Sequence, residues 1–266
     1  MVDQDATEAQ VAALLALAQA AAADAGAELA RRFGRVGEVA TKSSSVDYVT
    51  EADQAAEQVL VARLRAARPH DAVLGEEGGA RAGGSGLRWV LDPLDGTVNY
   101  VYGRRAWCVS VACVDDRGAL VGVVHDPLVP ETFAAVRGGG AWRDGAPLTC
   151  PDAVALPQAL IGTGFAYDRA ARRAQGEVVA RVVGAVGNLR RGGAAALDLC
   201  DVACGRLDGF YEDHLNAWDR AAGELVATEA GAARRAFGED GVVVAGPSLV
   251  DALTDLLVAP DPRERP

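Results

Sequence analysis

The spacing of apolar residues changes character twice along the chain. From Thr7 to Phe33 apolar positions recur at helical intervals, with Val11, Leu14, Leu15, Ala18 and Ala22 on one side. Thr41 to Thr50 is polar and turn-like. A second helix is predicted from Glu51 to Ala67 through Val59, Leu60 and Leu64, and Pro69 stops it. Ala72 to Leu74 reads as a short strand, and the five glycines between Gly78 and Gly86 predict a mobile surface loop. The middle third then turns to short β-type runs: Trp89–Leu91, Trp107–Val114, Leu120–Val124 and Thr132–Val136. They predict an antiparallel or mixed sheet.

Beyond Pro151 helices and strands alternate again. Strands are predicted at Ala159–Ile161, Gly209–Tyr211 and Val242–Ala245. Helices are predicted at Asp168–Val183, Ala194–Cys204, Ala217–Ala230 and Ser248–Leu257. The expected fold class is α/β, in a layered α+β arrangement. A boundary near Cys150 separates residues 1–150 from residues 151–266, the two parts forming one compact unit.

At 266 residues, half of them hydrophobic and 24% charged, the chain has globular composition and needs no disulfide to build a core. Its formal charge of −11 argues against nucleic acid as the main partner and against an anionic membrane surface. An anionic substrate stays possible if a cation stands between it and the protein. Acids occupy the N-terminus where a signal peptide carries Lys or Arg, and Val11–Ala23 reads as too short and too weakly apolar to span a bilayer. Cys108, Cys113, Cys150, Cys200 and Cys204 form no Cys-x-x-Cys pair, so buried reduced thiols and a cytoplasmic setting are expected.

The chemistry concentrates at Trp89-Val90-Leu91-Asp92-Pro93-Leu94-Asp95-Gly96-Thr97, where an apolar strand runs into two carboxylates. Asp92, the Leu94 carbonyl and Asp95 offer oxygen ligands on a rigid corner, which a hard divalent cation requires. An ordinary Asp-Pro turn followed by an Asp-Gly turn has the same sequence. Glu76 and Glu77 follow a second strand end, where a solvated turn is the plain alternative. Asp219 lies in the first turn of an apolar helix, a position the helix dipole also favours. Thr50 and Asp53 have the spacing of a capping box. The three histidines lie away from these motifs, which argues against His-based acid–base or phosphohistidine chemistry. Gly162-Thr163-Gly164 lacks the third glycine of a dinucleotide loop, and no Walker-type Gly-Lys-Ser/Thr occurs.

Four segments in order carry a resemblance. Lys42-Ser43-Ser44-Ser45-Val46-Asp47-Tyr48-Val49-Thr50-Glu51-Ala52-Asp53, Gly75-Glu76-Glu77, Asp92 to Tyr100 and Trp218-Asp219-Arg220-Ala221-Ala222-Gly223 resemble those of the inositol monophosphatase family. The segments from Gly193 to Cys200 and on to Glu212 resemble its substrate side. The wording around Asp92 and Arg190 looks nearest to the inositol phosphatase branch. The resemblance implies an α-β-α-β-α sandwich, a homodimer, sensitivity to lithium and up to three Mg²⁺ ions. Glu76, Asp92 and the Leu94 carbonyl would hold the first ion, Asp92, Asp95 and Asp219 the second, and Glu76 with waters the third. Such ions neutralise a phosphate ester, lower the pKa of a water and stabilise the leaving alkoxide.

It also implies that Thr97, bonded to Asp53, and Glu76 prepare the attacking water. The backbone of Gly96 and Thr97 would hold the phosphate, and Gly193, Ala194, Ala195, Glu212, Asp95 and Asp219 would line the substrate pocket. Lys42 and Arg191 are further candidates. Ala194 stands where the family often has Thr or Ser, which removes one polar contact. The implied substrate is a small polyol phosphate, inositol 1-phosphate first. Histidinol phosphate, fructose 1,6-bisphosphate, 3′-phosphoadenosine 5′-phosphate or a pathway-specific sugar phosphate are the alternatives. A non-catalytic regulatory protein of the same fold is the alternative of a different class.

Overall fold

A computed structural model describes residues 7–35, 39–41, 48–152 and 154–259. Helix α1 (Glu8–Arg32) opens on a capping box between Thr7 and Gln10, and α2 (Glu51–Ala67) opens on the predicted one between Thr50 and Asp53. Between them lies a small antiparallel pair, β1 (Val39–Thr41) with β2 (Tyr48–Thr50). The turn-like segment is therefore partly strand.

Eight strands form the larger sheet: β3 (Ala72–Gly75), β4 (Gly79–Arg81), β5 (Arg88–Asp95), β6 (Cys108–Asp115), β7 (Gly118–Asp126), β8 (Glu131–Val136), β9 (Gly140–Arg143) and β10 (Ala146–Pro147). They stand in the order β10-β9-β8-β7-β6-β5-β3-β4, and only β3 and β5 run parallel. The mixed sheet was predicted; β9 and β10 were not. The predicted mobile loop also proves partly ordered, because Gly79–Arg81 folds back on β3 as an edge strand. Glycine there serves a tight reversal, Gly79 having φ 68°.

The second sheet holds β11 (Leu160–Thr163), β12 (Asn188–Arg190), β13 (Gly209–Glu212), β14 (Ala233–Phe237) and β15 (Gly241–Ala245), in the order β12-β11-β13-β15-β14. Strands β12 and β14 were missed because they sit at the edges and polar residues, Asn188 and Arg190 in one, Arg234 and Arg235 in the other, break up their apolar pattern. Helices α4 (Arg169–Val182), α5 (Ala195–Ala203), α6 (Ala217–Glu229) and α7 (Val250–Val258) fall where the periodicity placed them. The short α3 (Thr97–Val101) follows β5.

Alternation along the strands assigns the layers. Trp89, Leu91, Val109 and Val111 pack against α1 and α2, whereas Val90, Cys108 and Ala112 face α5 and α6 on the other side. In the smaller sheet Val242 and Val244 face that same middle layer, and Val243 and Ala245 face α4 and α7. Helix pair, sheet, helix pair, sheet, helix pair: this is the five-layer sandwich the resemblance implied.

By length and composition α1 could cross a bilayer, contrary to the expectation from Val11–Ala23. Its helix runs past Asp24 to Arg32, and Leu14, Ala18, Ala22, Ala25 and Leu29 are buried in the core against α2 and the larger sheet. All five cysteines are free thiols, four buried and Cys204 half-buried, as expected.

Candidate active site

Asp92 and Asp95 are three residues apart, so a regular strand would send them to opposite faces. A one-residue irregularity prevents that. Asp92 pairs with Ser110 and Asp95 with Cys108, so three steps on β5 match two on β6. Pro93, which has no N–H to give the ladder, sits inside the bulge. The Leu94 N–H instead donates to Asp92 Oδ1 at 3.0 Å. Both carboxylates thus reach one cavity.

Gly96 ends the strand at φ 94°, and a side chain there would strike the Ala106 carbonyl at 2.8 Å. Thr97 begins α3, its hydroxyl 3.1 Å from Asp53 Oδ1 and 3.0 Å from the Leu94 carbonyl. One proton serves two acceptors. Asp53 is fully buried and also accepts from Thr50, so the capping role and the contact with Thr97 coexist. Burial pushes its carboxyl above the ordinary range, with Thr50 opposing.

Glu76 follows β3 on a turn held from behind: the Glu77 N–H donates to Glu57 Oε2 at 2.8 Å. Asp219 arrives from the other half of the chain. It sits in the first turn of α6, accepting from the Asn216 N–H at 2.5 Å. Helix α6 lies close on its neighbours because a Cβ on Gly122 would come 3.0 Å from Ala222, and one on Gly223 2.9 Å from Leu199. Asp95 Oδ2 accepts from the Ala196 N–H at 2.7 Å and the Cys108 thiol at 3.7 Å. Strand β5 and helix α5 are thereby tied together at the site.

Glu76, Asp92, Leu94, Asp95, Gly96, Thr97, Arg191, Gly193, Ala195, Glu212 and Asp219 all line one cavity of about 550 Å³. Asp53 stands behind Thr97. Ala194 is buried just before α5 and is not among the residues lining this cavity. Lys42 lies outside the described residues. An open groove of equal volume runs along α2 between Glu57, Arg65 and Arg81, away from the paired carboxylates of β5.

The acids raise one another. Burial and the charges of Glu76, Asp95 and Asp219 push Asp92 well up. Burial moves Asp95 to about 6 despite its Ala196 hydrogen bond. Burial followed by the charge of Asp95 moves Asp219 to about 8. Glu212 also reaches about 8, through burial and then Asp219. Among the described residues no group of three or more His, Cys, Asp or Glu side chains is already set to hold a metal ion. The chemistry of the set still fits a hard divalent cation. It consists of oxygen donors, forced together by burial, that repel one another until positive charge enters.

The substrate side holds residues that the sequence motifs did not reveal. The Asn99 amide donates to the carbonyls of Ala106 (2.6 Å) and Gly192 (2.9 Å), joining the loop after α3 to the Gly192–Gly193 turn. Buried Asp198 packs against Gly192; burial and the neighbouring acids Asp201 and Asp95 raise it to about 8. Gly164 leaves its space to the Glu212 carboxylate. His214 lines the cavity too, which corrects the expectation that no histidine lies near the site. Its backbone has φ 63°, a conformation that costs a non-glycine residue about 1 kcal/mol. Two residues of spacing from Glu212 in a strand exit was the only signal for it.

A family model described as the inositol monophosphatase family matches residues 10–259. The chain belongs to that family. An inositol-1-monophosphatase of Mycobacterium bovis is 44% identical over 232 residues, covering 82% of this chain and 80% of its own. A Pseudomonas aeruginosa protein named Nus factor SuhB is 41% identical over 246 residues, covering 88% of this chain and 91% of its own. The crystal structure of extragenic suppressor protein suhB from Bartonella henselae superposes with a TM-score of 0.88 at 33% identity, covering 92% of this chain and 98% of that one. Membership in this family is consistent with a phosphatase.

Proposed function

We propose that this protein is a Mg²⁺-dependent phosphomonoesterase that hydrolyses a small polyol phosphate, inositol 1-phosphate first. The observation that carries the reading is the convergence of Glu76, Asp92, Asp95 and Asp219 on one cavity beside a Thr97–Asp53 hydrogen bond. Glu76, Asp92, the Leu94 carbonyl, Asp95 and Asp219 would hold the metal, up to three ions. Bound there, Mg²⁺ supplies charge neutralisation of the phosphate and acidification of water.

The protein's own groups do the positioning. Asp53, fixed by Thr50, orients the Thr97 hydroxyl toward the water that attacks phosphorus. Glu76 accepts a proton from that water. The Gly96–Thr97 backbone holds phosphate oxygens, and Glu212 accepts hydrogen bonds from hydroxyls of the alcohol beside Gly193 and Ala195. The carboxylate wall excludes an unneutralised anion, so ester and cation enter as a charge-balanced set.

Purified protein should release phosphate from inositol 1-phosphate with Mg²⁺ and none with chelator. No release from any ester in a panel including histidinol phosphate and fructose 1,6-bisphosphate overturns the reading. The same reading includes lithium inhibition, a cytoplasmic setting and a homodimer, the last checked by mass in solution. The name Nus factor borne by a relative favours a second reading, a regulatory protein of this fold. An in vivo role that survives Asp92→Asn would support it.

A further inference from the structure

Two non-glycine residues among the described ones adopt a left-handed backbone, Asp144 and His214. Asp144 is explained locally. With Gly145 it forms the two-residue turn between paired Arg143 and Ala146, where aspartate and glycine are the ordinary choice. His214 has no such turn. It follows β13 and precedes Leu215, which is buried in the middle layer, so the left-handed step reverses the chain and leaves the imidazole outside. Glycine would make that reversal without strain. Strained residues of this kind collect at ligand sites.

The imidazole is 46% exposed and lies between the main cavity and a smaller one of about 90 Å³ behind Glu212. Arg191 lines the main cavity, and carboxylates stand beside the ring. Its Nε2 is 3.8 Å from Asp213 Oδ2, it lies close enough to Asp168 to help lower that carboxyl, and Glu212 is two residues away. A second phosphate at this end would meet those carboxylates. A hydroxyl, which both donates and accepts, matches an imidazole beside a carboxylate.

We infer that His214 is a specificity-determining residue that hydrogen-bonds a hydroxyl of the alcohol moiety, remote from the phosphate, and so selects polyhydroxylated phosphate esters. The inference rests on the phosphatase reading of the same cavity. The test compares wild type, His214→Gly and His214→Asn on inositol 1-phosphate and on 4-nitrophenyl phosphate, which has no hydroxyl. For His214→Gly, kcat/KM on inositol 1-phosphate should fall roughly tenfold, mostly through KM, as loss of one hydrogen bond implies. On 4-nitrophenyl phosphate it should change less than about twofold. Asn tolerates the left-handed backbone and keeps a polar group, so it should restore part of the loss.

Melting temperature should stay level or rise in His214→Gly, whereas a merely structural role would lower it. Equal losses on both esters, or none, overturn the inference. Calorimetric binding of inositol 1-phosphate separates the two readings. If wild type hydrolyses nothing yet binds the ester more tightly than His214→Gly, the phosphatase reading fails and the assignment stands. If both proteins bind equally, or neither binds, the assignment fails.

Discussion

Strands β3 and β5 run parallel, and each end of the pair carries buried aspartate in opposite circumstances. At the entry end Asp71 accepts from Arg68 at 2.8 and 3.1 Å and from the Trp89 indole at 3.0 Å. Burial alone would raise it, but these hydrogen bonds outweigh burial and hold its carboxyl below the ordinary range. At the exit end Asp92 and Asp95 meet other acids, and burial together with those charges pushes both up. The first end is a finished structural element. The second gathers acids that burial and mutual repulsion push up, and that difference separates scaffold from candidate site better than burial does.

The largest break in this contrast should come from Asp92→Asn. Turnover should fall roughly a thousandfold, about 4 kcal/mol of transition-state stabilisation. The metal-free protein should melt higher, since one like charge is gone. A variant that keeps wild-type kcat removes Asp92 from the metal set. Thr97→Ala should cost about a hundredfold in kcat with Mg²⁺ affinity, measured by calorimetry, little changed. Equal damage to both would make Thr97 a scaffold residue.

At the entry end, Asp71→Ala should destabilise by about 2 kcal/mol in denaturant unfolding and leave kcat/KM alone. The smallest effect is a pH slope of opposite sign at the two ends. Asp71, with a lowered folded pKa, contributes stability above the ordinary carboxylate range that is lost as pH falls. Asp95 and Asp219 have folded values of about 6 and about 8 against 3.8. Their contribution is present below about 4 and is lost as pH rises, up to about 6 for Asp95 and up to about 8 for Asp219. Melting of metal-free protein at pH 5 and pH 8 should show it, and saturating Mg²⁺ should flatten it.

Much of this was legible in order along the chain. Helical spacing and the Thr50–Asp53 box locate α1 and α2, because local propensity and the core agree there. The acids at Glu76, Asp92, Asp95 and Asp219 were visible because each sits where a strand ends or a helix begins. The bulge at Pro93 was not visible, since strand register is settled by the partner strand. Asn99, Asp198 and Cys108 act across distances that no local spacing encodes. His214 was passed over because proximity in three dimensions, from Glu212 on β13 and Phe165 beyond β11, brings it to the cavity.

The seating of α6 across the larger sheet has a consequence in time. A chain made from its N-terminus exposes Glu76, Asp92 and Asp95 long before Asp219 exists, because more than a hundred residues separate Asp95 from Asp219. Until α6 docks between Gly122 and Leu199, the nascent chain holds three carboxylates and no fourth wall. The helix that closes the middle layer therefore also brings the last of the four carboxylates: the cavity gains its full lining only once α6 has docked.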